Sequence, residues 1–453
     1  MTGLAQLTNI ARSINSYAFA HGQLQCLELE ITSARQLADI LAKAKEENVY
    51  VFRGAPRNRP AKLTARLAPD KPVQAIFLNF DRMTRIIEHV KGDQVLSIET
   101  GTTIKAVNQY LSNHGQWLPV EYLRDSGTVA DLLDSADGGF LEPFSGGVKH
   151  LVLGMELAIT DGELIKTGGK IVKNVTGYDL GKIFTGSHSW LAVPYMVHLR
   201  LYSRPEKESC FLVSGAKPQD LIALANNLRG TGLPAYCMEV IDSRLLKHCA
   251  SVQQKDTILC TEIGSIFHAA NGNEVFLLVS TRGHKHVADE VARALRSAAA
   301  QTGLRVSDIP TALGNRIQRL SSEIFQESAI EFAELSMSTS GMIYFFETFW
   351  SRANKPVWTA RPSMGRLRLG FTGGDSKEQL ASMIGALNKF ADTLNHDGLQ
   401  PVMAAVPSEK SELTFQTLSS QTDGERALDD VSRRLKMEYD PKGILNPLVS
   451  FYQ

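Results

Sequence analysis

The sequence predicts an α+β fold that is divided between two domains. Its 453 residues exceed the length that a single hydrophobic core usually supports. The first part alternates helix and strand patterns around a tight hairpin signal, and the region from Ser209 onward mixes short strand patterns with long amphipathic helices. We expect a first domain over residues 1–204, a second α+β domain over residues 205–410, and a C-terminal segment over residues 411–453 that returns to the first domain.

The first domain is predicted to begin with a helix and a buried strand. Leu37, Ile40, Leu41 and Ala44 recur at the spacing of one helical face, and residues 49–52 form a short apolar run. This order of elements is typical of an α/β layer.

A second helix is predicted between two extended segments. Residues 94–99 have the composition of a strand, and Thr102 is placed to cap a helix that carries Val107 and ends before Gly115. Extended chain is expected to resume at Trp117.

A hairpin follows, over residues 151–167. Two apolar segments flank Asp161 and Gly162, a dipeptide that suits a tight turn because both positions tolerate a positive φ. Antiparallel strands are therefore expected in the sheet.

Residues 170–187, directly behind the hairpin, are predicted to contain a short capped helix. Asp179 can cap it, Leu180, Ile183 and Phe184 fall on one face, and Gly186 can end it. Such capped helices are common, so the local pattern alone favours an ordinary structural helix.

The second domain is predicted to mix strands with long helices. The predicted strands are residues 210–214, 264–268, 274–280 and 342–346, and the predicted helices are residues 218–229, 287–300 and 376–394. Residues 408–424 are expected to form a loop before a final helix over residues 427–437. Arg361, Arg366 and Arg368 form either a site for an acidic substrate or, as the pattern favours, a solvated strand face.

Composition narrows the class of protein. Lys+Arg and Asp+Glu number 48 each, so net charge gives no indication of nucleic acid or an anionic membrane surface. Five scattered cysteines without C-x-x-C spacing predict reduced thiols and neither an iron–sulfur cluster nor a zinc site. The sequence shows neither a signal-peptide pattern nor a membrane-spanning segment, so we expect a cytoplasmic location, with membrane association through partners left open.

Segment 170–187 also carries the strongest family signal. It reads Lys-Asn-Val-Thr-Gly-Tyr-Asp-Leu and then Phe-Thr-Gly-Ser, and residues 144–154 and 440–447 add matching motifs. These motifs resemble the flavoproteins related to vanillyl-alcohol oxidase, with a PCMH-type FAD-binding domain of two subdomains. Within that family the chain is most similar to the FAD-binding small subunit of bacterial glycolate oxidase. The resemblance covers roughly the first half of the chain and its last short segment.

The resemblance implies a non-covalently bound FAD that three loops hold. An FAD needs donors for its pyrophosphate and an apolar slot for its ring. The residues that would shape the flavin site are Arg53, Gly54, Gly127, Thr128, Gly147, Asn174, Gly177 and Asn446. Residues 53–60 contain no histidine to link the flavin covalently, and neither a catalytic residue nor a metal ligand is predicted.

The three loops depart from the glycine-rich form of the family. Pro56 and Pro60 lack an N–H donor, so the arginines of residues 53–60 either replace backbone donors with charge or form a solvated basic loop. Asp131 is expected to place a carboxylate near the phosphates, where unpaired like charge is unfavourable. Trp190 and Ala192 stand where glycine would admit the flavin ring.

Three hypotheses follow for function. The first is an FAD-linked oxidoreductase subunit of glycolate oxidase type, which oxidises a small 2-hydroxy acid beside a flavin-containing large subunit and an iron–sulfur subunit. The second is a non-catalytic scaffold subunit that keeps the fold and binds FAD weakly or not at all. The third is a flavin enzyme with another substrate, since the middle of the chain carries no motif that we could assign.

Overall fold

The computed structural model forms two compact units. It describes residues 3–19, 24–54, 73–121, 126–170, 179–232, 235–252, 274–323, 330–350, 356–372, 378–379, 382–383, 386, 403–408, 412–417 and 423–447. Unit 1 comprises Met1–Gly139, Ser145–Arg204 and Thr422–Phe451, and unit 2 is mainly Pro205–Gln421 with Phe140–Phe144.

Twenty strands lie within the described part of the chain. They are β1 Ser13–Phe19, β2 Leu24–Glu30, β3 Tyr50–Arg53, β4 Val73–Asn79, β5 Ile86–Val90, β6 Val95–Glu99, β7 Gln116–Trp117, β8 Val152–Ala158, β9 Leu164–Gly168, β10 Val193–Arg200, β11 Tyr202–Ser203, β12 Lys207–Gly215, β13 Ala235–Asp242, β14 Val275–Gly283, β15 Arg305–Ile309, β16 Ile330–Ser336, β17 Val357–Arg361, β18 Arg366–Thr372, β19 Met403–Ser408 and β20 Glu412–Thr417.

The helices range from one turn to five turns. They are α1 Gly3–Leu7, α2 Ala34–Glu47, α3 Ile104–Ser112, α4 Val129–Ser135, α5 Glu142–Ser145, α6 Val148–Leu151, α7 Gly181–Phe184, α8 Pro218–Gly230, α9 Ser243–Val252, α10 Lys285–Thr302, α11 Thr311–Glu323, α12 Thr339–Tyr344 and α13 Asp423–Tyr439. The mixture of helices and largely antiparallel sheets confirms the predicted α+β class.

Unit 1 contains two main sheets. One has the order β1-β2-β4-β3, with β2 and β3 parallel to β4, and the other is antiparallel with the order β5-β6-β10-β8-β9. The C-terminal segment runs beside β3, because Val51 N–H donates to Ile444 O and Asn446 N–H donates to Val51 O, each at 2.9 Å. This pairing brings Asn446 close to the end of β3.

The predicted elements of unit 1 are present, with three local corrections. Helix α2 has the predicted buried apolar face and is capped by Ser33. Helix α3 begins after Thr103, because the Thr102 hydroxyl donates to Glu99 O and does not cap the helix. The hairpin β8–β9 forms, but only Gly162 of its turn dipeptide has a positive φ. Its hydrogen bonds from Ile159 N–H to Glu163 O and from Gly162 N–H to Ile159 O give a three-residue loop.

The predicted cap of α7 is the third correction. The helix begins after Leu180 and has no side-chain cap, while Asp179 instead lies 3.4 Å from Lys182. Phe184 is buried, but Leu180 and Ile183 are 43% and 36% exposed, so the apolar face is only partly covered. Gly186 follows with a φ of +86°.

Unit 2 is built on one antiparallel sheet of nine strands, in the order β15-β12-β14-β13-β17-β18-β16-β19-β20. The predicted strands at residues 210–214 and 274–280 and the predicted helices α8 and α10 are confirmed. The predicted strand at residues 342–346 is wrong, because α12, capped by Ser338, and a π-helical turn occupy them. The predicted loop at 408–424 contains β20 and the start of α13.

Two predicted elements of unit 2 extend beyond the described residues. Residues 264–268 and most of residues 376–394 lie outside the described residues. Among the helices that the structure describes, none is both long and apolar enough to cross a bilayer.

Candidate functional site

Arg53, at the end of β3, is a buried cation in an ion pair. Its side chain is 8% exposed, and both Nε and Nη2 donate to Asp134 Oδ2, Nε at 2.9 Å. Nη2 also lies 3.5 Å from Asp131 Oδ1. The guanidinium is therefore shared between two carboxylates of α4.

Asp134 connects two of the loops that were predicted to hold a flavin. Its Oδ2 accepts from Arg53, and its Oδ1 accepts a 2.8 Å hydrogen bond from Ser189 Oγ. Its side chain is 16% exposed. Charge-assisted hydrogen bonds of this kind are stronger than neutral ones, so Asp134 holds the end of β3 close to the loop after α7.

The backbone N–H groups at the start of α4 are hydrogen-bonded within the protein. Thr128 and Asp131 form a capping box, in which each side chain accepts from the other residue's backbone N–H, at 2.9 and 3.1 Å. Val129 and Ala130 donate to Thr102 O and Thr100 O, both at 2.8 Å. The Asp131 carboxylate is therefore already hydrogen-bonded within its own helix, and these backbone donors are already satisfied.

Asn446 offers a buried acceptor. The residue is 7% exposed, and its Nδ2 donates to His188 O at 2.7 Å. Its Oδ1 is buried and makes no hydrogen bond to any of the described residues. Asn446, His188 and Ser189 have φ angles of +40°, +50° and +56°, which residues other than glycine seldom adopt. Three residues in a sparsely populated conformation thus meet where the flavin ring was expected.

Lys436 of α13 contacts both the loop that carries His188 and Ser189 and the segment that carries Asn446. We call these residues, with Arg53, Asp131 and Asp134, the site cluster. Its Nζ donates to Trp190 O at 2.6 Å and to Leu445 O at 2.9 Å, and it pairs with Asp440 Oδ2 at 2.7 Å. It also lies 4.9 Å from the centre of the Trp190 ring. Burial lowers the pKa of Lys436, and the Asp440 carboxylate acts in the opposite direction.

The other predicted site residues are placed as follows. Gly54 has a φ of +82° and donates to Leu78 O at 3.1 Å. The carbonyl of Gly127 accepts from Ile104 N–H at 2.9 Å, and Gly147, with a φ of +81°, precedes α6. The structure brings Arg53, Thr128 and Asn446 into one hydrogen-bonded neighbourhood through Asp131, Asp134, Ser189 and His188. Asn174 and Gly177 lie outside the described residues.

Asp134 had only a weak signal in the sequence, and Ser189 and Lys436 had none. Asp131 and Asp134 are three residues apart, which puts both carboxylates on one face of a helix. Their partner Arg53 is 81 positions away from Asp134, a separation at which no sequence spacing indicates contact.

The three arginines of the predicted basic cluster in unit 2 each lie close to a carboxylate. Arg361, 7% exposed, lies 3.3 Å from Glu239, and Arg368, 14% exposed, lies 2.5 Å from Glu334. Arg366 lies 3.7 and 3.8 Å from Glu142 and Glu334. The predicted solvated strand face is therefore wrong, and a role in binding an acidic substrate stays a prediction.

Metal-ligating and thiol chemistry receives no support from the described residues. These residues contain no group of three or more His, Cys, Asp or Glu that could hold a metal ion. Cys26, Cys210 and Cys237 are buried free thiols, and burial raises the pKa of Cys210 to about 11.

The end of α4, beside the site cluster, gives a first testable prediction. Ala136 follows the helix with a φ of +50°, a conformation that costs alanine more than glycine. We expect Ala136→Gly to raise the free energy of unfolding by about 0.5–1 kcal/mol in a denaturant titration. Asn48→Gly, at the equivalent position of α2, should change it by only a few tenths of a kcal/mol, because asparagine tolerates this conformation.

The described residues fit a flavin. Asn446 Oδ1 is a buried acceptor that makes no hydrogen bond, and an isoalloxazine ring carries an N–H group that such an acceptor can bind. On the phosphate side, Arg53 supplies positive charge, which it shares with Asp134. The fit is therefore better at the ring than at the pyrophosphate.

Comparison with known proteins identifies an FAD-binding domain in the first part of the chain. Residues 28–168 match the family model described as "FAD binding domain". The chain is 28% identical over 137 residues to the glycolate oxidase subunit GlcE of Escherichia coli, covering 30% of this chain and 39% of that protein. It is 28% identical over 171 residues to a probable mitochondrial D-lactate dehydrogenase of Danio rerio, covering 37% and 34%.

A further relative is an uncharacterized FAD-linked oxidoreductase of Mycobacterium tuberculosis. It is 26% identical over 211 residues, which are 46% of this chain and 45% of that protein. The chain thus spans less than half the length of these relatives.

Solved structures show the same fold over most of the chain. 4-ethylphenol oxidase from Gulosibacter chungangensis matches 98% of this chain and 92% of its own, with a TM-score of 0.67 and 13% identity. Alkyldihydroxyacetonephosphate synthase matches 92% and 75%, with a TM-score of 0.67 and 12% identity. Residues 28–168 are therefore an FAD-binding domain of the PCMH type, in a chain related to glycolate oxidase subunits and D-lactate dehydrogenases.

Proposed function

We propose that this chain is an FAD-linked oxidoreductase subunit of the glycolate oxidase type, which oxidises a small 2-hydroxy acid together with partner subunits. Bound FAD supplies the acceptor for the hydride equivalent that leaves the substrate carbon. The residues of this chain bind the cofactor, orient it and exclude water from it.

The proposal is carried by Asn446 Oδ1, a buried acceptor without a partner among the described residues. Asn446 pairs with β3, which belongs to the segment that matches an FAD-binding family. Buried polar atoms of native structures usually have a hydrogen-bond partner, and an N–H group of a bound flavin would supply one for Asn446 Oδ1. The left-handed φ angles of His188 and Ser189 beside it add support, because strained backbone is concentrated at functional sites.

The proposed roles divide the site between the two ends of the cofactor. Arg53 faces the pyrophosphate, Asn446 binds the ring, and Lys436 fixes the position of Asn446 through Leu445 and Asp440. The remaining residues that we assign to the flavin site are Gly54, Gly127, Thr128, Gly147, Asn174 and Gly177. We also propose that residues 1–204 with residues 411–453 form the flavin domain, and that residues 205–410 form a cap-like domain.

The proposed partners are a flavin-containing large subunit and an iron–sulfur subunit. The sequence resemblance to the FAD-binding small subunit of glycolate oxidase supports this assignment, and GlcE is itself called a glycolate oxidase subunit. A cytoplasmic location, with membrane association through these partners, belongs to the same proposal.

The first test is the visible absorption spectrum of the purified chain, with and without added FAD. We expect a flavin spectrum and release of free FAD on acid treatment, because residues 53–60 contain no histidine that could link the flavin covalently. We also expect Asn446→Ala to lower FAD affinity by roughly tenfold, the usual scale for one buried hydrogen bond. A colourless protein that ignores added FAD would contradict the proposal for the isolated chain.

A second candidate function is a scaffold subunit that binds FAD weakly or not at all. The capping box of Thr128 and Asp131 favours it, because backbone donors at that loop are already satisfied. Purification of the chain with its partners separates the two candidates. A complex that assembles and turns over with a flavin-free form of this chain would establish the scaffold.

A further inference from the structure

Arg53 is already paired with an anion, the carboxylate of Asp134. The guanidinium is the group proposed to meet the cofactor's pyrophosphate, yet two of its nitrogens donate to Asp134 Oδ2. Guanidinium groups bind carboxylates and phosphates with the same fork of donors, so one anion competes with the other.

Asp134 is held firmly in this position. Ser189 Oγ fixes its second oxygen at 2.8 Å, and the side chain is 16% exposed. Asp131, 43% exposed and 3.5 Å from Arg53 Nη2, adds a second negative charge. A phosphate that approached Arg53 would therefore meet two carboxylates as well as the cation.

We propose that Asp134 is an internal counter-anion of the cofactor site, and that a phosphate-bearing flavin binds by displacing it from Arg53. This inference rests on the proposed function. It makes Asp134 a determinant of which flavins bind: the penalty of displacement falls on FAD, which carries a pyrophosphate, and not on riboflavin, which carries no phosphate.

The test compares two ligands on three proteins. FAD and riboflavin are titrated against the full-length chain, its Asp134→Asn variant and a control, with quenching of flavin fluorescence as the readout. The control is Asp161→Asn. Asp161 lies in the β8–β9 turn of the same unit, is about half-exposed, and forms an ion pair with Lys45 of α2 that the substitution breaks. Circular dichroism and thermal melting establish that each variant is folded.

The expected result is selective. Asp134→Asn should tighten FAD binding by roughly tenfold or more, leave riboflavin affinity unchanged, and lower the melting temperature of the flavin-free protein, because the Arg53 ion pair is lost. Asp161→Asn should change neither affinity.

Several outcomes would overturn the inference. Equal FAD affinity in the wild type and Asp134→Asn would do so, and weaker FAD binding would show that Asp134 orients Arg53 for the phosphate instead. Asp134→Ser replaces the asparagine variant if that variant does not fold, and failure of both to fold would make the pair a structural requirement. If neither flavin binds any of the proteins, the proposed function fails along with this inference.

Discussion

Asp440→Asn is expected to destabilise unit 1 by about 3–5 kcal/mol and to abolish FAD capture. The Asp440 carboxylate is fully buried and accepts from Ile444 N–H at 3.1 Å and from Leu445 N–H at 2.8 Å, besides pairing with Lys436. The substitution leaves the Lys436 ammonium without its charge partner, and an amide must then face two N–H donors with one acceptor oxygen.

The loss should reach the flavin site because residues 444–446 run directly from this turn along β3. Denaturant unfolding gives the stability change, and FAD fluorescence quenching gives the binding change. Asp430→Asn, on the exposed part of the same helix, is the control and should change both by little. A stable Asp440→Asn protein with wild-type FAD affinity would show that the turn does not position Asn446.

A double variant tests whether the loss of stability in Asp440→Asn comes from the unpaired charge of Lys436. Replacing Lys436 with methionine in the Asp440→Asn protein removes the buried charge that the single variant leaves without its partner. We expect the double variant to be more stable than the sum of the two single changes predicts, because the two groups interact directly. Additive losses would indicate that the Trp190 and Leu445 carbonyls alone keep Lys436 in place.

Local sequence patterns predicted many of the helices and strands, whereas the secondary structure of others depends on tertiary packing. The apolar spacing of α2 and the turn residues between β8 and β9 identify these elements without reference to the rest of the chain. Residues 342–346 were misassigned because a short apolar run suits a buried strand and a buried helix equally. The Ser338 cap, which accepts from Gly341 N–H at 3.0 Å, was the signal that could have decided for the helix.

The candidate site could be predicted only as a set of motifs. Arg53, Thr128 and Asn446 were named from the resemblance, and the structure joins them through residues that no motif indicated. Asp134 and Ser189 are 55 positions apart, and Lys436 reaches Trp190 across 246 positions. Such contacts depend on how helices and strands pack, so composition and local spacing do not predict them.

Arg361→Met is expected to destabilise unit 2 by about 3–5 kcal/mol, whatever ligand the protein binds. Glu239, 1% exposed, shares its Oε1 between Arg361 Nε at 3.3 Å and Thr359 Oγ1 at 2.6 Å, while its Oε2 accepts from Ser321 Oγ at 3.0 Å. The substitution removes the opposite charge that this carboxylate has at Arg361. Denaturant unfolding and thermal melting measure the effect.

Arg296→Met is the matched control. The Arg296–Asp308 pair of the same unit is 49% and 65% exposed, so its loss should cost no more than about 1 kcal/mol of stability.

The comparison also tests whether Arg361 stabilises the sheet or binds a substrate. If Arg361 serves the sheet, its loss lowers stability in the absence of any substrate, and a second change, Glu239→Gln, recovers part of that loss by removing the buried negative charge. If Arg361→Met instead leaves stability intact and weakens only the binding of a 2-hydroxy acid, the arginine belongs to a substrate site and the pair with Glu239 is incidental.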